Sequence, residues 1–441
     1  MLYKQFFLFI LLFGFSPVLS SCAGMATPLA TSTPLPTLTP SLIPTDTSTP
    51  LPSPTPTLLP PTGLISFDSN REGSWGIYVV KADGKGEVNM VTFSPGGDMY
   101  GNWSPDGQRI AFQSYRSGAT ADIYLINADS TGLSRLTGDP ANEKKPAWSP
   151  DGKQIAFLSS ENGDPPYAIY LMNIDGSGLM LLASNVQGLT PPSWSPDGSR
   201  IAFESYSGDN LEIFVINVDG SGLVQLTWNS TSVEPNWSPV GDRIAFVSVR
   251  NGSPEIFVMH ADGSGATQLT RNSTSYEPAW SLDGNYIAFT SERTGNPEIF
   301  LMREDGRDLR QLTDDLHEDY APRWAPEGVA ISSKPWFGPP FCMLDTDGDF
   351  QPDTATAAFN SQEIGYIMFP YRNMTNGVLF GHQWTFADSE LNPMFVSPWD
   401  GGNSGWHTSY SLVSAGAGDV SIQLFIEGRA VQEVVCGVIE P

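Results

Sequence analysis

A self-similar unit recurs every 43 to 46 residues from residue 63 onward, and that period decides what the chain can fold into. Its marker is a Trp, at Trp103, Trp148, Trp194, Trp237, Trp280 and Trp324. Seven residues after each Trp stands an Ile: Ile110, Ile155, Ile201, Ile244, Ile287 and Ile331. The first five open an Ile-Ala-Phe run, and Ile65-Ser66-Phe67 starts the series without a Trp before it. A second apolar run follows at Ile77-Tyr78, Ile123-Tyr124, Ile169-Tyr170, Ile213-Phe214, Ile256-Phe257 and Ile299-Phe300. Asp-Gly turns come next, as at Asp175-Gly176, Asp219-Gly220 and Asp262-Gly263, and a short run ends in Leu-Thr at Leu226-Thr227, Leu269-Thr270 and Leu312-Thr313.

Each unit therefore reads as four short strands joined by turn chemistry. Ser-Pro-Asp-Gly at 104–107, 149–152 and 195–198 pre-sets a tight turn, because Pro fixes φ and Gly tolerates positive φ. Val240, Leu282 and Glu327 vary this pattern without disturbing its spacing. A four-stranded unit of this length matches a propeller blade, and one blade cannot bury both faces alone, so blades must pack in a ring. The count gives six blades, with the Trp324 strand closing the blade that Ile65 opens.

The run Trp-Ser-Pro-Asp-Gly-x-x-Ile-Ala-Phe, then Ile-Tyr and Asp-Gly-Ser-Gly, resembles the repeat of TolB-like β-propellers over residues 63–333. In propellers of this kind the loop into the innermost strand opens on the central channel. The resemblance therefore implies that residues three and four before each Trp line one channel mouth. The candidates among them for stacking and hydrogen bonding are Tyr100, Lys145, Glu234, Tyr276, Glu277 and Tyr320, suited to a peptide or small ligand. The alternative is a solvated channel with no ligand. The repeated Trp, Ile and Phe are packing, and Asp-Gly is turn geometry.

Similar propellers also precede α/β-hydrolase domains in prolyl-oligopeptidase-type peptidases. Here about 108 residues follow the propeller, too few for that fold, and no Gly-x-Ser-x-Gly elbow occurs. The four His residues, His260, His317, His382 and His407, stand in no metal-ligand spacing. With 48 acids against 22 bases the chain carries a formal charge of −26, which argues against gripping nucleic acid or adhering electrostatically to an anionic membrane.

The N-terminus reads as an address. Lys4 precedes an apolar run from Phe6 to Phe15, too short for a comfortable transmembrane helix. Leu19-Ser20-Ser21-Cys22 then resembles the lipobox of bacterial lipoproteins, which implies lipidation at Cys22 and a mature chain starting there. The alternative is an ordinary secretory signal with an incidental Cys. Residues 26–62 hold 11 Pro, 11 Thr and 4 Ser, with Asp46 the only charge. Such a segment cannot form a core; at ~3.1 Å per residue it spans up to roughly 100 Å as a polyproline-type spacer.

After about residue 334 the repeat stops and short alternating strands begin, as at Tyr366–Phe369, Val378–Phe380 and Ser421–Ile426. The pattern suits a small, immunoglobulin-like β-sandwich closed by a hairpin. Cys342 and Cys436 remain once Cys22 carries lipid, and outside the cytoplasm they point to a disulfide, with two free buried thiols as the alternative. Asp345, Asp347, Asp349 and Asp353 resemble the start of a calcium loop, but Phe350 and Thr356 stand where that loop needs Gly and Glu, so a polar turn competes. Trp384, Trp399 and Trp406 suit either a sugar platform or a core.

The sequence thus predicts an all-β chain in four parts: signal peptide 1–21, lipidated Cys and Thr/Ser/Pro-rich stalk 22–62, six-bladed β-propeller 63–333 and β-sandwich 334–441. The expected work is non-catalytic binding of a protein or peptide of the cell envelope or exterior. The protein is placed outside the cytoplasm, held to a bacterial membrane by its lipid alone. No cofactor is required, calcium is optional and nucleic acid is excluded. The rival functions are cell-surface carbohydrate binding and a hydrolase with its active site at the channel mouth.

Overall fold

The computed structural model describes residues 61–329 with few interruptions and, between 336 and 439, the backbone of the strands. Cys22, the lipobox and the stalk up to residue 60 lie outside the described residues, as do Asp345, Asp347, Asp349, Asp353 and Trp399. Among the described residues there is no helix.

Four antiparallel sheets of four strands follow the repeat. From inner to outer strand, the second of them runs Asp98–Trp103, Arg109–Ser114, Asp122–Asn127 and Ser134–Arg135. Two more begin with Ser232–Trp237 and Ser275–Trp280. The first sheet takes its inner strand, Asp319–Trp324, from the end of the repeat region and pairs it with Leu64–Ser69, with Ile65 opposite Trp324. The turn chemistry forms as the sequence implies: Gly107 N–H donates to Ser104 O at 2.8 Å, and Gly107 sits at φ +69°.

The third and fourth repeats depart from the expectation of six separate sheets. They share one eight-stranded sheet, joined where Val186 pairs with Ser205. The cause lies in a β-bulge that the other inner strands share. Tyr100, Lys145, Glu234, Glu277 and Ala321, each three residues before its Trp, take φ between +52° and +59°. The fourth repeat has Pro191 there, and the pyrrolidine ring locks φ near −65°. Its inner strand is accordingly only Ser193–Trp194. The neighbouring strand Met180–Val186 reaches over and takes the vacated ladder position.

The apolar cores lie between the sheets. The repeated Ile65, Ile110, Ile155, Ile201, Ile244 and Ile287 are all fully buried. Each core mixes two repeats: Ile213 and Val215 pack with Trp237, Ile244 and Phe246, while Ile65 and Phe67 pack with Tyr286, Ala288 and Leu301. Fully burying one such side chain contributes about 1.5–3 kcal/mol, so every sheet depends on both neighbours. A guanidinium adds to four of the sheets. Arg71, Arg116, Arg250 and Arg293 each hydrogen-bond through Nε to the Ser two positions earlier and lie over a Phe/Tyr or Phe/Phe pair.

The strands after residue 336 form two five-stranded sheets. One centres on Ile364–Arg372, which pairs with Trp336–Phe337, Phe341–Leu344 and Gly405–Leu412. The other contains the closing hairpin, Gly418–Ile426 against Arg429–Ile439. Cys342 belongs to the first sheet and Cys436 to the second.

Candidate functional site

The inner strands converge on a cavity of about 340 Å³ lined by all six repeat Trp residues and by the residue two positions after each, which is Pro in five repeats and Leu282 after Trp280. The wall is regular where the repeat is regular. It becomes individual at Thr190, Pro191, Glu234, Glu277 and Arg323.

Several backbone and indole N–H groups of the regular part find acceptors within the wall, whereas Trp148 Nε1 is buried with no hydrogen-bond partner among the described residues. Trp194 Nε1 donates to Ala147 O, Trp280 Nε1 to Asn236 O and Trp324 Nε1 to Ala279 O, each reaching the preceding repeat. The N–H groups of Trp148, Trp237 and Trp280 donate to the side chains of Asn102, Ser193 and Asn236. Arg109, Arg200 and Arg243 cover the faces of Trp148, Trp237 and Trp280 at 4.8–5.2 Å. These indoles are therefore fixed wall.

The six residues that the sequence offers as mouth-lining loops sit inside the inner strands instead. Each ladder begins one to three residues before them, as in the pairs Asp98–Ser114, Asn142–Ser160 and Ser232–Ser248, which the Trp-based alignment does not reveal. Glu234 and Glu277 are 1% exposed, and of the six only these two line the cavity. Tyr276 and Tyr320 are buried against each other, ring centroids 6.5 Å apart, and Trp75 lies 5.7 Å from Tyr320. Burial raises both phenols, and a hydrogen bond to Glu292 raises Tyr276 further. Tyr100 and Lys145 are half-buried, with Lys145 Nζ 4.6 Å from the Tyr100 ring and donating to Gly188 O at 2.9 Å.

The bulge turns a backbone N–H toward the preceding sheet, and for Tyr100, Lys145, Glu277 and Ala321 the sequence supplies its acceptor in either of two ways. Where the residue after the repeat Phe is Asp68 or Gln113, it accepts: Tyr100 N–H donates to Asp68 Oδ2 (2.8 Å) and Lys145 N–H to Gln113 Oε1 (3.2 Å). Where that residue is Val247 or Thr290, the bulge Glu of the preceding repeat substitutes. Glu277 N–H donates to Glu234 Oε2 (2.5 Å) and Ala321 N–H to Glu277 Oε2 (2.7 Å), with Thr290 Oγ1 donating to Glu277 Oε2 at 3.1 Å. Pro191 has no N–H, and the matching residue after Phe157 is Leu158.

These acceptors gather charge in the interior. Burial, then the Glu277 charge, push the Glu234 carboxyl up to about 8. Burial pulls the Lys145 ammonium down to about 8 against the attraction of Glu204, Glu277 and Glu234. Burial also raises Asp68 well above the usual carboxylate range. Among the described residues no group of three His, Cys, Asp or Glu side chains is placed to hold a metal ion. Sequence reasoning missed the bulge acceptors Asp68 and Gln113, and also Glu204, which accepts the Thr190 N–H at 3.0 Å. Their signal was present as the polar residues after Phe67, Phe112 and Phe203.

Solved structures with this architecture include TolB from Acinetobacter baumannii, with 22% identity and a TM-score of 0.53 over 60% of this chain and 67% of that one. Hydrazine synthase from Kuenenia stuttgartiensis aligns with 15% identity and a TM-score of 0.50 over 86% and 67% of the two chains. A TolB-like protein from Agrobacterium tumefaciens aligns at 21% identity and a TM-score of 0.47, covering 60% of this chain and 98% of its own. No curated protein matches the chain. Residues 95–188 and 168–363 match the family described as TolB beta propeller domain, and with the repeat, the sheets and the convergent inner strands, this places the chain in the TolB-like β-propeller family.

Proposed function

We propose that the protein is a non-catalytic binding scaffold outside the cytoplasm, whose propeller receives a protein or peptide of the cell envelope or exterior at the Trp- and Pro-walled cavity. In this reading the eight-stranded sheet counts as two fused blades, so the ring is six-bladed. Lipid at Cys22 and the stalk hold the propeller off a membrane, and the strands after residue 336 form a β-sandwich bridged by Cys342 and Cys436.

The observation that carries the reading is the cavity itself. Rigid Trp and Pro surfaces give contact area at low entropic cost, and the non-repeating Glu234, Glu277 and Arg323 supply direction. The two Glu residues are poor candidates for acid–base chemistry, because both are buried and one oxygen of each holds a backbone N–H of the next repeat. Membership in the family supports a protein-binding role, since TolB-like propellers are a protein-interacting scaffold family. The fold also occurs in hydrazine synthase, so catalysis is weighed on these residues and not on architecture.

The test is calorimetric titration of the full chain with a panel of extended peptides. Binding is expected, and it should weaken at least about tenfold in Leu282→Glu, which places a charge on a cavity-lining side chain that is 41% exposed. Undiminished binding by that variant would move the site away from this mouth.

A further inference from the structure

The 340 Å³ cavity has a neighbour. A second cavity, of about 310 Å³, shares Leu282 and Trp324 with it, and Asp283, Tyr286 and Glu327 also border it. The two differ in chemistry. The first presents exposed apolar side chains at Pro105, Pro150, Pro196 and Leu282. The second has Asp283 and Glu327 as its charged residues, both exposed, and no Lys, Arg or His among the described residues borders it.

These two acids belong to a ring. Each of the six turns after a repeat Trp carries an exposed carboxylate: Asp106, Asp151, Asp197, Asp242, Asp283 and Glu327. Neighbouring turns touch round the mouth. A Cβ at Gly107 would lie 3.4 Å from Pro326, one at Gly152 3.6 Å from Pro105 and one at Gly198 3.8 Å from Pro150. The carboxylates keep their charge. The hydroxyls of Ser104, Ser149 and Ser195 donate to Asp106, Asp151 and Asp197 and hold them below the usual carboxylate range, Asp197 at about 2. At Asp283 burial opposes the shift, but the Ser281 hydroxyl and the Asn285 N–H and side chain outweigh it.

The cations of this end are engaged elsewhere. Arg109, Arg200 and Arg243 lie on Trp faces, and Lys153 pairs with Asp151 at 3.5 Å. Arg323 borders the first cavity, where its Nη1 donates to Pro322 O.

From the two joined cavities, one with an exposed apolar wall and one bordered by exposed carboxylates, we infer that the mouth takes a polypeptide segment in which a bulky apolar side chain is closely followed by a basic one. The apolar group enters beside Leu282 and the prolines, and the cation lies by Asp283 and Glu327. The inference rests on the proposed binding role of this mouth and names the chemistry of its partner. Other segments fit less well. An acidic one meets like charge at every turn, and a wholly apolar one covers Asp283 and Glu327 without replacing the water they lose. The stem of a basic side chain packs on Leu282 while its head stays at the wet edge.

The experiment is calorimetric titration of the full chain with four end-blocked peptides of equal length. The first has a leucine-tryptophan centre followed by lysines, the second glutamines in place of the lysines, the third glutamates, and the fourth lysines after a serine centre. The first should bind at least about tenfold more tightly than each of the others, and its margin over the glutamine peptide should shrink between about 0.05 and about 0.5 M salt. Asp283→Asn with Glu327→Gln should remove that margin and leave the glutamine peptide's affinity unchanged. Glu161→Gln with Asp209→Asn removes as much charge from exposed loops after the second strands Gln154–Ser160 and Arg200–Ser207, at the opposite end, and should leave the margin intact.

Equal affinity for the lysine and glutamine peptides, or for the two lysine peptides, overturns the inference and leaves the scaffold reading standing. So does a margin that both double variants reduce alike, because the preference then belongs to the charge of the whole chain. Failure of all four peptides overturns the inference, and failure of the longer extended peptides as well overturns both. The peptide and salt arms use the unsubstituted chain, so they decide the matter even if a double variant does not fold.

Discussion

The Glu277 carboxylate holds the Ala321 N–H at 2.7 Å, one sheet away, and thereby fastens the last inner strand of the repeat to its neighbour. The same oxygen accepts the Thr290 hydroxyl. A residue that looks like a candidate ligand contact is thus also a backbone acceptor, and the two uses are separable by substitution.

Glu277→Ala leaves the Ala321 N–H and the Thr290 hydroxyl buried without their acceptor. The expected loss is about 2–4 kcal/mol of unfolding free energy, measured by denaturant titration. Glu277→Gln keeps an acceptor oxygen and should lose about half as much or less. Equal losses would show that charge, and not the hydrogen bonds, sets the value of this residue.

Stability should fall as pH rises from 4.5 toward 8. The folded Glu234 carboxyl, at about 8, keeps its proton where the unfolded group, at 4.5, has released it, so the folded state binds more protons in that window. Above 8 this contribution is flat. Lys145 acts in the opposite sense between about 8 and 10.5, where the unfolded ammonium keeps a proton that the folded one has lost. Thermal midpoints across pH should show the first slope, and Glu234→Gln should flatten it. An unchanged slope in that variant would assign it to Asp68, which is raised in the same direction.

Arg293→Ala should cost about 1–2 kcal/mol, because the guanidinium covers the Phe289 and Phe300 rings at 5.4 and 4.7 Å and its Nε donates to Ser291 Oγ. Arg293→Lys should recover little of it, since an ammonium lacks the planar face and the Nε donor. Full recovery by Lys would reduce the interaction to simple charge.

Arg71→Ala removes the partner of Asp319, whose carboxylate is fully buried and takes bonds from Arg71 Nη2 at 3.0 Å to each oxygen. The expected loss is about 3–5 kcal/mol. Asp319→Asn with Arg71→Ala should be less damaging than Arg71→Ala alone, because no uncompensated charge remains. A double variant as unstable as the single one would locate the loss in Arg71 packing on Phe67 and Tyr78.

The repeat was legible because Trp, Ile and Phe recur for packing reasons that tolerate no substitute, and Ser-Pro-Asp-Gly announces its own turn. The first strand's pairing with the last was also legible, since Ile65 stood without a Trp and Trp324 stood without a following unit. The bulge was not, because a positive φ at Tyr100, Lys145 or Glu234 follows from no property of those side chains. It is a tertiary demand, set by two residues opposing one across the inner pair. Its trace was Pro191, the one residue in that column unable to comply, and that single ring merges two sheets. The candidate site was half legible. Glu234 and Glu277 were found, but their burial and their bonds to the next repeat depend on Val247 and Thr290 offering no suitable acceptor, a relation between columns that spacing alone does not show.

The strand that begins with Leu64 finds its partner far downstream: Ser66 donates to Arg323 O across 257 residues. Until that segment has been synthesised, the first sheet lacks its inner strand and the ring has a gap at Ile65. A chain made from its N-terminus must therefore stay incomplete through almost the whole of its repeat region, with an unpaired edge on its first strand. Closure comes in one late step, and a truncation anywhere before Trp324 is expected to leave an open arc instead of a smaller ring.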